Sequence, residues 1–219
     1  MTTKTLQIVG GSAAILNGLI YIFAFIGYGA VLVYPDVHAD VNERLAFLSN
    51  NYTSLFVLNL FSYVIFGILL AFLAHGLHQR LSSYSPSLSR ISLSFGIIWV
   101  GLVMASGMLS NIGMDYVIQK GTTEPENAMI IWSGIGVVTE ALGGGNEVVG
   151  GLWVLLISHM GLKAKLLPKP LVLLGFLVGL AGILTIHPLE IFRVVFGLTQ
   201  ILWFIGLGVV MVRNPGTSS

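Results

Sequence analysis

The sequence predicts an all-α, polytopic membrane protein: one bundle of six transmembrane helices with both termini cytoplasmic. Three observations carry that reading. Apolar residues make up 55% of the 219 residues and charged residues only 9%, with a mean hydropathy of +0.91, a balance foreign to water-soluble domains. Six apolar runs follow one another, on the scale needed to cross roughly 30 Å of hydrocarbon. The basic residues then gather on one side of the topology those runs define.

The first run, 7–34, ends at Tyr34-Pro35-Asp36 and is much longer than a signal-peptide core, so it is expected to be a retained helix. The stretch Val37 to Asn50 sets Leu45, Ala46, Phe47 and Leu48 among charges, and reads either as a short interfacial helix or as a solvated loop. The second run, 52–80, stops before the Ser/Pro-rich SSYSPSLS at 82–89, and the third, 89–118, before the turn-forming residues Gly121 to Asn127. The fourth run, 126–162, is the longest. The fifth, 170–186, opens after Pro168-Lys169-Pro170 and closes at His187-Pro188, leaving 189–212 as the sixth. Runs two to four must tilt, break or protrude, whereas the fifth has only 17 residues.

Lys4, Arg80, Arg90, Lys163, Lys165, Lys169 and Arg213 fall on one side, against Arg44, Lys120 and Arg193 on the other. The positive-inside rule makes the first side cytoplasmic. Asp36, Asp40, Glu43, Asp115, Glu124, Glu126 and Glu190 all fall outside or at the outer interface, which leaves Glu140 and Glu147.

Those two lie on the fourth run, around GGGNEVVGG at 143–151. Counting back about 20 residues from its inner end, at 1.5 Å per residue, puts the outer interface near residue 140 and Glu147 inside the hydrocarbon. A bare carboxylate at that depth costs several kcal/mol, so Glu147 is expected to be neutral, paired or facing a polar cavity. On a continuous helix, Ser133, Gly136, Glu140, Gly144, Glu147, Gly151 and Ser158 share one small-and-polar stripe, with Ile131, Ile135, Val138, Leu142, Val149 and Leu156 opposite. Three consecutive glycines also permit a break at 143–145 with Asn146 capping the inner half.

By the same count, Asn17, Glu147 and Gln200 come out near mid-membrane, and Asn59, Asn111, Glu140 and Arg193 near the outer interface. Arg193 and Gln200 are seven residues apart, as are Glu140 and Glu147, so two facing helices would form a ladder of Arg193–Glu140 and Gln200–Glu147 rungs. Asn17, Asn59 and Asn111 are expected to make packing hydrogen bonds worth about 0.6 kcal/mol each. Gly175-x-x-x-Gly179, continued by Gly182, reads as a helix-packing face. His75, His78 and His159 share the inner end and are weak candidates for a metal site; interfacial histidines are the plainer reading, and no metal is assigned. Met104, Met108 and Met114 read as ordinary packing. Asn51-Tyr52-Thr53 matches a glycosylation sequon on the outer side.

The segments GGGNEVVGGLWVLL at 143–156, LPKPLVLLGFLVGLAGILT at 167–185 and QILWFIGLGVVMVR at 200–213 resemble a large family of small bacterial integral membrane proteins classified only as a domain of unknown function. The resemblance runs over the whole chain and is strongest in the last third. It implies a bacterial inner-membrane location and brings no activity with it.

The absence of cysteine rules out thiolate chemistry and disulfides, and a net charge of +1 without a basic patch rules out nucleic acid as a partner. No nucleotide loop, nucleophile motif or cofactor signature occurs. The partners expected are membrane lipids and a small or lipophilic ligand, bound or passed in a polar pocket drawn from Glu140, Asn146, Glu147, Arg193, Gln200 and Asn17. The alternative is a membrane-embedded enzyme of isomerase or cyclase type using Glu147 as general acid.

Overall fold

The computed structural model describes residues 2–36, 38–144 and 147–215, and among them there is helix and no strand. In these described residues nine α-helices follow in order: α1 Thr3–Ile26, α2 Val41–Asn50, α3 Tyr52–Asn59, α4 Phe66–Ser82, α5 Pro86–Gly121, α6 Pro125–Thr139, α7 Val148–Lys163, α8 Lys169–Leu184 and α9 Glu190–Arg213. Local chemistry sets several starts. The Thr2 hydroxyl accepts from the Thr5 N–H (3.2 Å), Asp40 caps α2 through the Glu43 N–H (2.9 Å), and proline occupies the first turn of α5, α6 and α8.

Three short segments are wound more widely than an α-helix: Gly27–Val31 after α1, Leu60–Ile65 between α3 and α4, and Glu140–Gly144 after α6. The Leu32 N–H reaches back five residues to the Gly27 carbonyl (3.2 Å), and the Phe66 N–H likewise reaches Phe61. Counting through these turns, five helical spans are long and apolar enough to cross a membrane: Thr3–Val31, Tyr52–Ser82, Pro86–Gly121, Pro125–Lys163 and Glu190–Arg213. Lys169–Leu184 is a further apolar helix of 16 residues, shorter than those five, where six spans were expected. Outward faces carry large apolar side chains, among them Leu173, Leu177, Leu180 and Leu184 on α8. Val41–Asn50 is a helix, not a loop: Leu48 is buried and Leu45 lies against Gly121.

One end of the bundle gathers both chain ends. Gln7 donates to the Gly76 carbonyl (2.7 Å), Gln79 to Thr3 (3.0 Å), and Arg80 to the carbonyl of Asn214 (2.8 Å). The core is aromatic. Trp99, Trp153 and Trp203 are fully buried in a chain of ring contacts, with Trp99 5.8 Å from Trp153 and Trp153 5.8 Å from Trp203, while Phe66 and Phe204 pack on Trp99. The predicted glycine face of α8 is in contact with α7. A Cβ on Gly182 would stand 2.7 Å from the Gly151 Cα, and one on Gly151 would stand 2.7 Å from the Gly179 carbonyl oxygen.

The fourth span does not continue as one helix. Gly143 adopts φ 155° and ψ 10°, in the region that favours glycine, and α7 restarts at Val148. The interruption resets the helical phase, which corrects the single polar stripe. On α7 the stripe packs inward, with Ser158 buried and Gly151 against α8. On α6 it does not: Ser133 is exposed and its hydroxyl donates within its own helix to the Met129 carbonyl, and a Cβ on Gly136 would meet nothing within 4 Å. There the supposed lipid face packs instead, Ile135 against Gly113. Asn146, the expected cap of the inner half, lies outside the described residues.

Candidate functional site

The three wide turns meet at one place. A cavity of about 360 Å³ is lined from α1 and its terminal turn by Ile20, Tyr21, Ala24, Phe25, Tyr28 and Gly29. Ser62, Tyr63 and Phe66 line it from the second turn and the start of α4; Trp99 and Val103 do so from α5, and Gly143 and Glu147 from the interruption of the fourth span. Each wide turn thus contributes to the wall. One extra residue in a helical turn re-aims side chains, and such turns recur at functional sites.

Glu147 is placed by its neighbours on α8. Its N–H donates to the Thr185 hydroxyl (2.9 Å), which donates in turn to the Gly182 carbonyl (2.7 Å), and its own carbonyl accepts from Gly151 (2.7 Å) as α7 begins. Among the described residues its Oε2 is buried without a hydrogen-bond partner. The remaining polar lining is sparse. Ser62 Oγ is buried and unpartnered among the same residues, and the Tyr28 hydroxyl donates to Asn59 Oδ1 at 2.6 Å.

That last bond opens a network towards the far end. Asn59 Nδ2 donates to Asn111 Oδ1 (2.9 Å) and Asn111 Nδ2 to the Phe56 carbonyl (3.2 Å), so these two asparagines make the packing bonds expected of them. Tyr28 also lines a second cavity of about 450 Å³, whose walls include Tyr34, Asp36, Arg44, Asn59 and Trp132. Tyr28 therefore borders both spaces.

The first rung of the expected ladder forms. Arg193 Nη1 donates to Glu140 Oε2 at 3.1 Å, joining α9 to the turn after α6 with both side chains about half exposed. The second rung does not: among the described residues both amide atoms of Gln200 are buried without a partner, as is Glu147 Oε2. The interruption at Gly143 is the reason, since seven residues no longer correspond to two helical turns between Glu140 and Glu147. Asn17 is fully buried with neither side-chain atom bonded to a described residue, and like Gln200 it is absent from the cavity lining. Of the described residues expected to form a pocket, Glu147 alone reaches this one.

His75 Nδ1 bonds the Ala71 carbonyl (2.9 Å) and His78 Nδ1 the Ser89 hydroxyl (2.7 Å). Among the described residues no three His, Cys, Asp or Glu side chains come together to hold a metal, so the trio with His159 does not assemble.

The tyrosines escaped the sequence reading because they were absorbed into apolar runs. Tyr21 and Tyr28 are seven residues apart and both face the cavity, and that spacing was the available signal.

A family model matches residues 16–213, nearly the whole chain, and its description is Domain of unknown function (DUF4386). The chain belongs to the DUF4386 family. No curated protein and no solved structure matches it. The family match spans the first wide turn, the glycine-rich interruption and the α7–α8 contact, so every described wall of the cavity lies within the family's own domain.

Proposed function

We propose that this DUF4386 protein binds, or passes, a small lipophilic molecule in the cavity at Glu147. It does so as a bacterial inner-membrane protein of six spans with both ends cytoplasmic. One observation carries the reading: three helical spans give up regular winding at the same place, around an apolar space holding, among the described residues, a single carboxyl group with a buried, unbonded oxygen. Widened turns and an unpartnered carboxyl oxygen both cost stability, and a bundle that needed only to fold would close over them. A volume of about 360 Å³ lies within the range of small-molecule sites.

The topology rests on the gathering of Lys4, Arg80, Arg90, Lys163, Lys165, Lys169 and Arg213 at the end that holds both termini. The alternative, an enzyme using Glu147 as general acid, finds less support, because the described lining residues beside it that could pass a proton are only the hydroxyls of Tyr21, Tyr28, Tyr63 and Ser62, with no His, Asp, Lys or second Glu.

Occlusion tests the proposal. Gly29 lines the cavity, and a Cβ there would meet nothing within 4 Å, so Gly29→Trp adds bulk without a backbone clash. Val103 lines the cavity from α5, and Val103→Phe adds a ring there. In purified protein that elutes as wild type, both variants are expected to lose uptake of a lipophilic fluorophore that Gly29→Ala retains. Wild-type uptake by both well-folded variants would end the proposal.

A further inference from the structure

The geometry points to an organic cation, an apolar amine or quaternary ammonium with an aromatic or alkyl body, as the molecule this cavity accepts, with Glu147 as its counter-ion. The inference rests on the reading of the cavity as a binding site and gives that site its ligand class.

The wall chemistry is one-sided. Tyr21, Phe25, Tyr28, Tyr63, Phe66 and Trp99 line the space, and the one carboxylic acid among the described lining residues is Glu147. Ring faces carry the negative end of the aromatic quadrupole, and a cation held against several of them needs no water. Among the described residues no basic side chain lines the cavity. Of the basic residues elsewhere, Arg193 is held by Glu140 at 3.1 Å and Lys120 is paired with Glu124 at 2.9 Å. Arg44 lines the other cavity.

The carboxyl is also built to carry charge when a cation is present. Glu147 immediately precedes Val148, so it sits at the start of α7, where the helix dipole favours an anion. Its Oε2 is buried with no donor in hydrogen-bond geometry among the described residues, the Trp99 indole N–H beside the carboxyl being unpaired as well, so that oxygen stays open to what enters. A neutral ligand without a hydrogen-bond donor leaves that oxygen uncompensated. A cation compensates it while its body covers the rings.

The test uses two molecules of one shape: benzyltrimethylammonium, and neopentylbenzene, in which carbon replaces the nitrogen. Binding of each to the purified full chain in lipid nanodiscs is measured by equilibrium dialysis. Wild type is expected to take up the cation more tightly than neopentylbenzene. Glu147→Gln is expected to weaken the cation by at least about tenfold and leave neopentylbenzene unchanged, while Glu147→Asp keeps most of the cation's affinity. Equal cation binding by wild type and Glu147→Gln, or tighter binding of neopentylbenzene by wild type, overturns the inference. If neopentylbenzene binds and Gly29→Trp excludes it, the cavity reading survives that failure. If neither molecule binds wild type, the ligand class and the cavity reading fall together.

Discussion

Replacing Gly151 by alanine puts one methyl group where α7 meets α8, and the cost can be worked from the backbone. The added Cβ would stand 2.7 Å from the Gly179 carbonyl oxygen, 2.8 Å from the Ile183 nitrogen and 2.9 Å from the Gly182 carbonyl carbon. All three are main-chain atoms, so no side chain can rotate away and the helices must part by roughly 0.5–1 Å to restore van der Waals contact. Overpacking of this kind costs about 1–3 kcal/mol. Gly101 is the matched control on α5: a Cβ there would meet nothing within 4 Å, and Gly→Ala in an open helical position is expected to stabilise by about 0.4–1 kcal/mol. The two substitutions should therefore move stability in opposite directions, read by thermal unfolding in one detergent. The same contact positions the site, because the Thr185 hydroxyl one turn away holds the Glu147 N–H. Gly151→Ala should accordingly weaken ligand uptake as well, and Gly101→Ala should not. Equal stability of the two variants would refute the close-packed α7–α8 interface.

Gly143→Ala forces an L side chain to a φ of 155° and should cost about 1–3 kcal/mol in the same unfolding assay. A double-mutant cycle of Glu140→Gln with Arg193→Gln should return a coupling of no more than about 1 kcal/mol, because the pair is about half exposed. Glu147→Gln should leave expression and elution close to wild type, since the amide keeps the shape and removes a carboxyl whose Oε2 has no partner among the described residues; loss of folded protein would show instead that this carboxyl holds the bundle together. A reporter active only in the periplasm, fused after Arg213, should stay silent.

The elements were legible because their signals are local. Pro35, Pro86, Pro125 and Pro170 each stand at or near an element boundary, where a ring that fixes φ and removes an N–H suits the start or the end of a helix and not its interior. Gly175, Gly179 and Gly182 announced a close helix contact, and α7 supplies it. The Arg193–Glu140 pair was legible because it needed only matching depths, and the rise along the fourth span changes less at the interruption than the direction in which its side chains point.

What failed were the inferences about facing, which assumed regular winding across an irregularity. The Gln200–Glu147 rung and the single polar stripe both presumed 100° per residue through 143–145, and a glycine at φ 155° removes that premise. The cavity was hidden for the same reason. Its walls come from three wide turns, and nothing in Leu60–Ile65 marks it as wider than the helices either side, since no proline or glycine stands within it. A wide turn is favoured by what packs beside it, here α5, whose Gly107 lies against Tyr63, so it is a tertiary property that no local pattern encodes. Glu147 was the exception because its signal is energetic and not periodic. A carboxyl in an apolar run demands an explanation wherever the helix turns it, and the structure answers by setting it in a cavity wall where its Oε2 finds no donor among the described residues.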